Sequence, residues 1–193
     1  MARFYSINNI LIRLFDIIFS VIGILILSPL LISVYLLIYF QNGSPLFFQE
    51  RVGKNMKKFT LVKFRTMYIG TEQCATHLVE KTSTTYSGRI LRKLKIDELP
   101  QLWNVILGHM SIVGPRPCLF NQKELIKQRR LLNIFKSKPG ITGLAQIKRI
   151  DMSEPIKLAR IEQIMLKKLN IFNYFLYIFL TTVGLGFGDR IKY

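Results

Sequence analysis

The sequence predicts an α+β, mainly helical protein with an N-terminal re-entrant membrane helix hairpin, a small β-hairpin and interfacial amphipathic helices. Three observations predict it. No charged residue occurs from Ile17 to Phe40, a run of 24 residues. Just beyond it, two short segments of strand character flank the turn signal Gly53-Lys54-Asn55. From there onward, apolar residues recur at helical spacing between clusters of cations.

At 193 residues the chain is long enough for one domain with a real core. Half of it is hydrophobic, the mean hydropathy is +0.27 and the formal net charge is +17. A chain both apolar and strongly basic points to a membrane surface carrying anionic lipid rather than to nucleic acid. Cys74 and Cys118 are far apart and read as free thiols of a reducing compartment. His77 and His109 are isolated.

The uncharged run exceeds the ~20 residues that a bilayer crossing needs. Ser28-Pro29 interrupts it. Proline removes an N–H and clashes with the carbonyl one turn back, at Leu25, so a kink is expected there. The Ser28 hydroxyl can satisfy a freed backbone group. Each arm, Ile17–Leu27 and Leu30–Phe40, is about 16 Å long, half of a ~30 Å hydrocarbon core. Both flanks are basic: Arg3 and Arg13 before, and Arg51, Lys54, Lys57 and Lys58 after. The positive-inside rule puts both ends in the cytoplasm. A helix that enters, bends at Ser28-Pro29 and leaves on the same side satisfies both features. The expected division is residues 1–42 as membrane hairpin and 43–193 as a cytoplasmic domain resting on the membrane.

Leu46–Val52 and Phe59–Met67 read as the strands of the hairpin, with Lys63 and Arg65 on one face. Thr71 to Gly88 is polar and weakly patterned, which suggests a surface excursion. Arg89, Arg92, Lys93 and Lys95 then lead into Asp97-Glu98. A short helix should follow, with Leu99, Leu102, Trp103 and Ile106 on its apolar side and Gly108 as its stop. Asp97 is expected as its N-cap, held ionised by the helix dipole and the upstream cations. Pro115 and Pro117 stiffen the backbone around Arg116, and a rigid guanidinium suits bidentate phosphate binding.

A helix is expected from Gln122 to Lys136, opened by Asn121 with Glu124 three residues on. Lys138–Gly143 reads as a tight turn, Leu144–Ile147 as a short strand, and Ser153-Glu154-Pro155 as the opening of another helix. The final apolar run, Ile171–Val183, is too short to span and reads as an interfacial helix lying at the membrane or as a core helix. There is no G-x-x-x-x-G-K-[ST] stretch and no Asp-x-Asp. Gly184 to Gly188 imitates a Gly-rich loop, but too few residues follow it to form a helix.

Several stretches together resemble the bacterial sugar transferase family, the monotopic polyprenyl-phosphate phosphoglycosyl transferases. They are Gly43-Ser44-Pro45, Phe48–Gly53, Lys63–Met67, Asp97–Val105, Met110–Pro117 and Lys138–Gln146, in the family's order. The resemblance implies transfer of a sugar-1-phosphate from a UDP-sugar to undecaprenyl phosphate, with release of UMP, as the initiating step of a bacterial surface glycan. It implies Asp97 as the nucleophile that carries a covalent phosphosugar, and Glu98 as the residue that holds Mg²⁺ on the diphosphate. It implies Lys63, Arg92 and Arg116 at the substrate phosphates, with Arg65 and Glu162 as additional candidates. It places the enzyme as a monotopic protein on the cytoplasmic face of the bacterial inner membrane, leaves room for a homodimer, and gives no role to nucleic acid. One departure stands out. Many members carry an Asp with a Tyr three residues on in the C-terminal helix, where this chain has Glu162 and Met165. The tail Gly186–Arg190 looks like the ending of a smaller-enzyme subgroup. A basic membrane adaptor would account for the charge and the apolar segment, but not for a carboxylate dyad among cations beside a proline-clamped arginine.

Overall fold

The computed structural model describes residues 2–71 and 83–184, and the tail from Leu185 and most of the Thr71–Gly88 stretch lie outside them. The chain is mostly helical with small sheets. One helix, α1 (Ala2–Asn42), is long and apolar enough to cross a membrane. It is assigned as helix straight through Pro29. The Ser28 hydroxyl donates to the Leu25 carbonyl at 2.8 Å, the acceptor that Pro29 cannot serve.

One face of α1 packs on the rest of the chain along its length. Arg13 donates to the carbonyls of Val105 (2.7 Å) and Ile106 (3.0 Å). Asp16 Oδ1, buried, accepts from Ser111 Oγ (3.0 Å), Ile112 N (2.9 Å) and the Tyr174 hydroxyl (2.9 Å). Towards the other end, Val34 and Ile38 pack with Phe64 and Leu91, and Ser87 Oγ donates to Gln41 Oε1 at 2.6 Å. The remaining surface of α1, including Leu25, Ile26, Ile32 and Phe40, is exposed and apolar.

The expected hairpin forms from β1 (Leu46–Val52) and β2 (Lys58–Phe64), antiparallel, with a tight turn at Lys54–Met56. Strand pairing stops at Phe64 rather than at Met67, which makes an isolated bridge to Thr84. Helix α2 (Tyr86–Lys93) follows, capped by the Thr85 hydroxyl accepting from Gly88 N. Thr84, Thr85 and Gly88 are buried, so the end of the expected surface excursion is packed structure.

Helix α3 (Gln101–Ile106) ends where Gly108 takes φ +83°, as expected. Its burial is the reverse of the expectation. Gln101, Asn104 and Val105 are buried, while Trp103 is 54% exposed. Asn104 explains this: its Nδ2 donates to Thr60 O (2.7 Å) and its Oδ1 accepts from Val62 N (3.0 Å). The amide pairs with the free edge of β2, turning the polar side of α3 inward.

The next corrections share a cause in short-range pattern reading. Strand β3 (Ser111–Val113) pairs in parallel with β4 (Gly140–Thr142), where a turn was expected. The approach is so close that a Cβ on Gly140 would lie 2.0 Å from Gly114 N. Leu144–Ile147 is a helical turn, α5, not a strand; the expected helix of residues 122–136 is α4 (Lys123–Leu131). Asn133 at φ 58° breaks α4 from a 3₁₀ turn at Ile134–Lys136, and Gln122 rather than Asn121 stands at the cap. Helix α6 (Pro155–Lys168) starts at the proline as expected. Helix α7 (Ile171–Thr182) buries Tyr174 and Tyr177 and sets Phe175 edge-on against Phe15 and Phe19 of α1. Phe172 and Phe179 remain exposed.

Candidate active site

The Asp97-Glu98 dyad sits in a 3₁₀ turn, Ile96–Glu98, between α2 and α3. Lys95 takes a left-handed conformation, φ 60°, reversing the chain from α2 into that turn. Asp97 is therefore not an N-cap; Pro100 stands ahead of α3, and the helix supplies no cap hydrogen bond. What positions the dyad is packing of the turn against α2 and β2. Both carboxylates are buried, at 6% and 9% exposure.

The two acids have opposite electrostatics. Burial pushes the Asp97 pKa up, the neighbouring Glu98 charge adds to that, and Lys63, Lys95 and Arg92 only partly offset them, leaving it at about 6. The expected downward shift is thus reversed, because a dipole at a cap was assumed and desolvation was not. Asp97 is still ionised at neutral pH. For Glu98, burial is the largest single influence and acts upward, but Arg116 and Lys95 outweigh it and hold the pKa near 2. Arg116 Nη2 donates to Glu98 Oε1 at 2.6 Å, and Lys95 Nζ lies 4.0 Å from the same oxygen.

Lys63, half-buried on β2, lies 5.1 Å above the Phe47 ring, and burial lowers its pKa to about 8 against the pull of Asp97. Arg92, buried on α2, bears on Asp97. Lys63, Arg92 and Arg116 are thus assembled around the dyad as anticipated. Arg65 is not. It shares the face of Lys63 over Phe47, but its guanidinium is bound to Ser44 O, Ser44 Oγ and Leu46 O, clamping the start of β1. Glu162 lies in the core as the bidentate partner of Arg129, at 2.5 and 2.8 Å. Arg129 in turn donates to the Arg116 carbonyl at 2.9 Å, so Glu162 supports the site indirectly. Ser28 and Pro29 belong to α1 alone.

Two residues at the site were not anticipated. Arg51 is buried beside Arg116, with Nη1 on Pro117 O (3.1 Å) and Nη2 on Gln49 Oε1 (2.6 Å). Its Nε is buried with no hydrogen-bond partner among the described residues. The two-residue spacing of Gln49 and Arg51 was the available signal, since it places both on one face of β1. Lys95 was read as one of the upstream cations that hold Asp97 ionised, not as a partner of Glu98.

Beside the dyad is a cavity of about 290 Å³, with Lys95, Glu98 and Arg116 contributing to its wall. Most of the rest is apolar or hydroxyl-bearing: Leu94, Leu99, Leu102, Ile112, and Ile178 and Thr181 of α7. Arg51, Lys63, Arg92, Lys95 and Arg116 thus bear on the two carboxylates, and Lys95, Glu98 and Arg116 line a largely apolar cavity. Cations grouped beside paired carboxylates suit a multiply charged anion.

Among the described residues, no group of three or more His, Cys, Asp or Glu side chains could enclose a metal ion. The dyad nevertheless fits Mg²⁺, which binds through one or two carboxylates plus substrate phosphates. Arg116 and Lys95 both face Oε1 of Glu98, which leaves Oε2 and the Asp97 carboxylate as ligand oxygens.

A buried carboxylate pair among cations is chemically suited to phosphate groups, and sequence comparison gives the class of protein. A family model described as bacterial sugar transferase matches residues 7–187. The chain is 41% identical over 139 residues to the sugar transferase EpsL of Bacillus subtilis, covering 72% of this chain and 68% of EpsL. It is 35% identical over 166 residues to the exopolysaccharide production protein ExoY of Sinorhizobium fredii, covering 76% and 73%. It is 38% identical over 140 residues to the UDP-N-acetylgalactosamine-undecaprenyl-phosphate N-acetylgalactosaminephosphotransferase of Aeromonas hydrophila, covering 68% of this chain and 32% of that protein. The chain belongs to the bacterial sugar transferase family.

Proposed function

We propose that this protein is a phosphoglycosyl transferase that moves a sugar-1-phosphate from a UDP-sugar to undecaprenyl phosphate, through a covalent intermediate on Asp97, as the first step of a bacterial surface glycan. The observation that carries the reading is the split dyad: a Glu98 held ionised by Arg116 beside an Asp97 that no arginine neutralises in the same way.

In the first step an Asp97 carboxylate oxygen attacks the phosphorus bonded to the sugar. The bond from that phosphorus to the bridging oxygen breaks, and UMP leaves with its electron pair. In the second step a phosphate oxygen of undecaprenyl phosphate attacks the same phosphorus. The bond to Asp97 breaks, the carboxylate is restored and undecaprenyl-diphosphosugar departs. Arg116, Lys63, Arg92 and Arg51 bind the phosphates and stabilise charge developing on their oxygens. Glu98, with Asp97, would hold Mg²⁺, which when bound neutralises diphosphate charge. The apolar cavity bounded by α7 offers the acceptor's first isoprene units a path to the dyad.

Membrane placement follows the same reading. Arg13 and Gln41 are separated by 28 residues of α1, about 42 Å of helix. Both touch the same domain. A helix crossing the bilayer would carry one of them to the far side, away from it. This supports a re-entrant α1 in residues 1–42, with residues 43–193 on the cytoplasmic face of the inner membrane against anionic lipid. A homodimer is compatible with this arrangement.

The test is UMP release from a panel of UDP-sugars, with and without undecaprenyl phosphate. One UDP-sugar should turn over fully with the lipid, and excess chelator should stop it. No UMP from any sugar, or full turnover in chelator, contradicts the reading or its metal respectively.

A further inference from the structure

Strand β3 separates two cavities. Ile112 faces the catalytic cavity, while Ser111 and Val113, pointing the other way, line a larger one of about 640 Å³. The second cavity is distant in chemistry as well. Its charged lining is Arg13 of α1, Lys54 of the β1–β2 turn, Lys136 and Lys138 after α4, Lys167 of α6, and one acid, Asp16. The acid is committed: Oδ1 of Asp16 already accepts from Ser111, Ile112 and Tyr174. Among the described residues, none of the four lysines has an ion-pair partner.

We infer that this cavity is a second anion site, built to hold a phosphate group. Cations from four separate parts of the chain line it, Lys138 half-buried and Lys54, Lys136 and Lys167 exposed to an incoming ligand. Arg13 Nη2 and Lys138 Nζ lie 3.5 and 3.7 Å from one point, the position a Cβ on Gly108 would take. These like charges repel, although the carbonyls of Val105 and Ile106 also hold the Arg13 guanidinium. Burial, then Arg13, push the Lys138 pKa down, Asp16 opposes them in part, and Lys54 adds to the fall. A bound phosphate would relieve that repulsion and accept from several ammonium groups. On the membrane placement proposed above, Arg13, four residues ahead of the uncharged run, would set this cavity at the headgroup layer. The phosphate can therefore come from an acidic phospholipid or from a soluble anion. The inference does not depend on the reaction assigned to Asp97.

The test uses the full chain in a mild detergent and reads binding, so a wrong catalytic assignment would leave it unmoved. One arm adds phosphatidylglycerol or phosphatidylcholine and counts retained lipids by native mass spectrometry. The other titrates inorganic phosphate and follows the thermal midpoint. The site variant is Lys54→Gln, Lys136→Gln and Lys138→Gln together. The control is Lys58→Gln, Lys148→Gln and Lys157→Gln, which changes net charge equally at exposed positions. Wild type should retain one phosphatidylglycerol in preference to phosphatidylcholine, or be stabilised by phosphate. The site variant should lose at least tenfold in affinity and the control should not. Retention of lipid without a phosphate effect assigns the headgroup; a phosphate effect assigns a soluble anion. Lys138→Gln alone, with a loss of about threefold, serves if the triple variant does not fold. Binding by neither probe, or equal loss in both triple variants, overturns the inference.

Discussion

Two glutamate–arginine pairs stand one behind the other in this molecule and differ in what surrounds them. Glu162 and Arg129 are sealed in the core, at 0% and 2% side-chain exposure, with one charge balancing the other. Glu98 and Arg116 make a comparable contact at 2.6 Å, but on the wall of a cavity and beside Lys63, Lys95, Arg92 and Arg51. The pairs are linked through Arg129, which holds the Arg116 carbonyl. The inner pair is neutral and complete, which is the arrangement of a structural fastener. The outer pair lies among further cations on the wall of a cavity, where an anion can reach it. On the proposed function, the same two residue types serve stability in one place and binding in the other, and the surrounding charge decides which.

The sharpest break in the comparison is expected at Asp97, the acid that among the described residues has no arginine hydrogen bond and that Arg92 offsets only in part. Asp97→Asn should lower turnover by more than about 10³-fold, since an amide is isosteric but not nucleophilic. Stability should move the other way. A carboxyl whose folded pKa is raised from 3.8 to about 6 takes up protons on folding, so it erodes stability as pH rises through that window. Removing its charge should raise Tm at pH 7.5 by roughly 2–6 °C, read by differential scanning fluorimetry.

Glu162→Gln should do the converse. It strands Arg129 in the core, at a cost of about 3–5 kcal/mol. Tm should fall by about 10 °C, while kcat measured well below Tm changes far less than in Asp97→Asn. A kcat loss without a Tm loss would place Glu162 in the chemistry instead.

Arg116→Lys keeps the charge and removes the fork. It should lower kcat/KM by about 10²-fold, with a Tm change smaller than that of Glu162→Gln. The smallest effect is on pH dependence. Asp97 must be ionised and Lys63 charged, so kcat/KM should rise through about pH 6 and fall through about pH 8. Lys63→Arg should move the alkaline limb upward and leave the acid limb in place.

The comparison also marks what the sequence could and could not reveal. The hairpin was legible because two short strand-like runs, the second with Lys63 and Arg65 on one face, flank the turn signal Gly53-Lys54-Asn55. The dyad and Arg116 were legible as residue types in proline- and cation-rich contexts. Their pairing was not, because Glu98 and Arg116 meet only through folding of the intervening α3 and β3. The inward turn of α3 was hidden by its own apolar pattern: Asn104 trades burial of Trp103 for two backbone hydrogen bonds at the edge of β2. Strands of three residues, such as β3 and β4, carry too little alternation to be seen. Asp16 gave a weaker signal, as an acid one residue ahead of the uncharged run, and its anchoring of α1 to β3 and α7 was overlooked.

The central claim is that Asp97 carries the phosphosugar. It is tested most directly by mixing enzyme with its UDP-sugar in the absence of lipid, then measuring UMP and the intact protein mass. The account predicts UMP up to one equivalent, a mass gain of one phosphosugar, and a modified peptide that places it on Asp97. It also predicts that undecaprenyl phosphate then discharges the adduct. An adduct on Glu98 or Glu162 would contradict the assignment of roles, and UMP release only when both substrates are present, with no adduct, would contradict the two-step reaction itself.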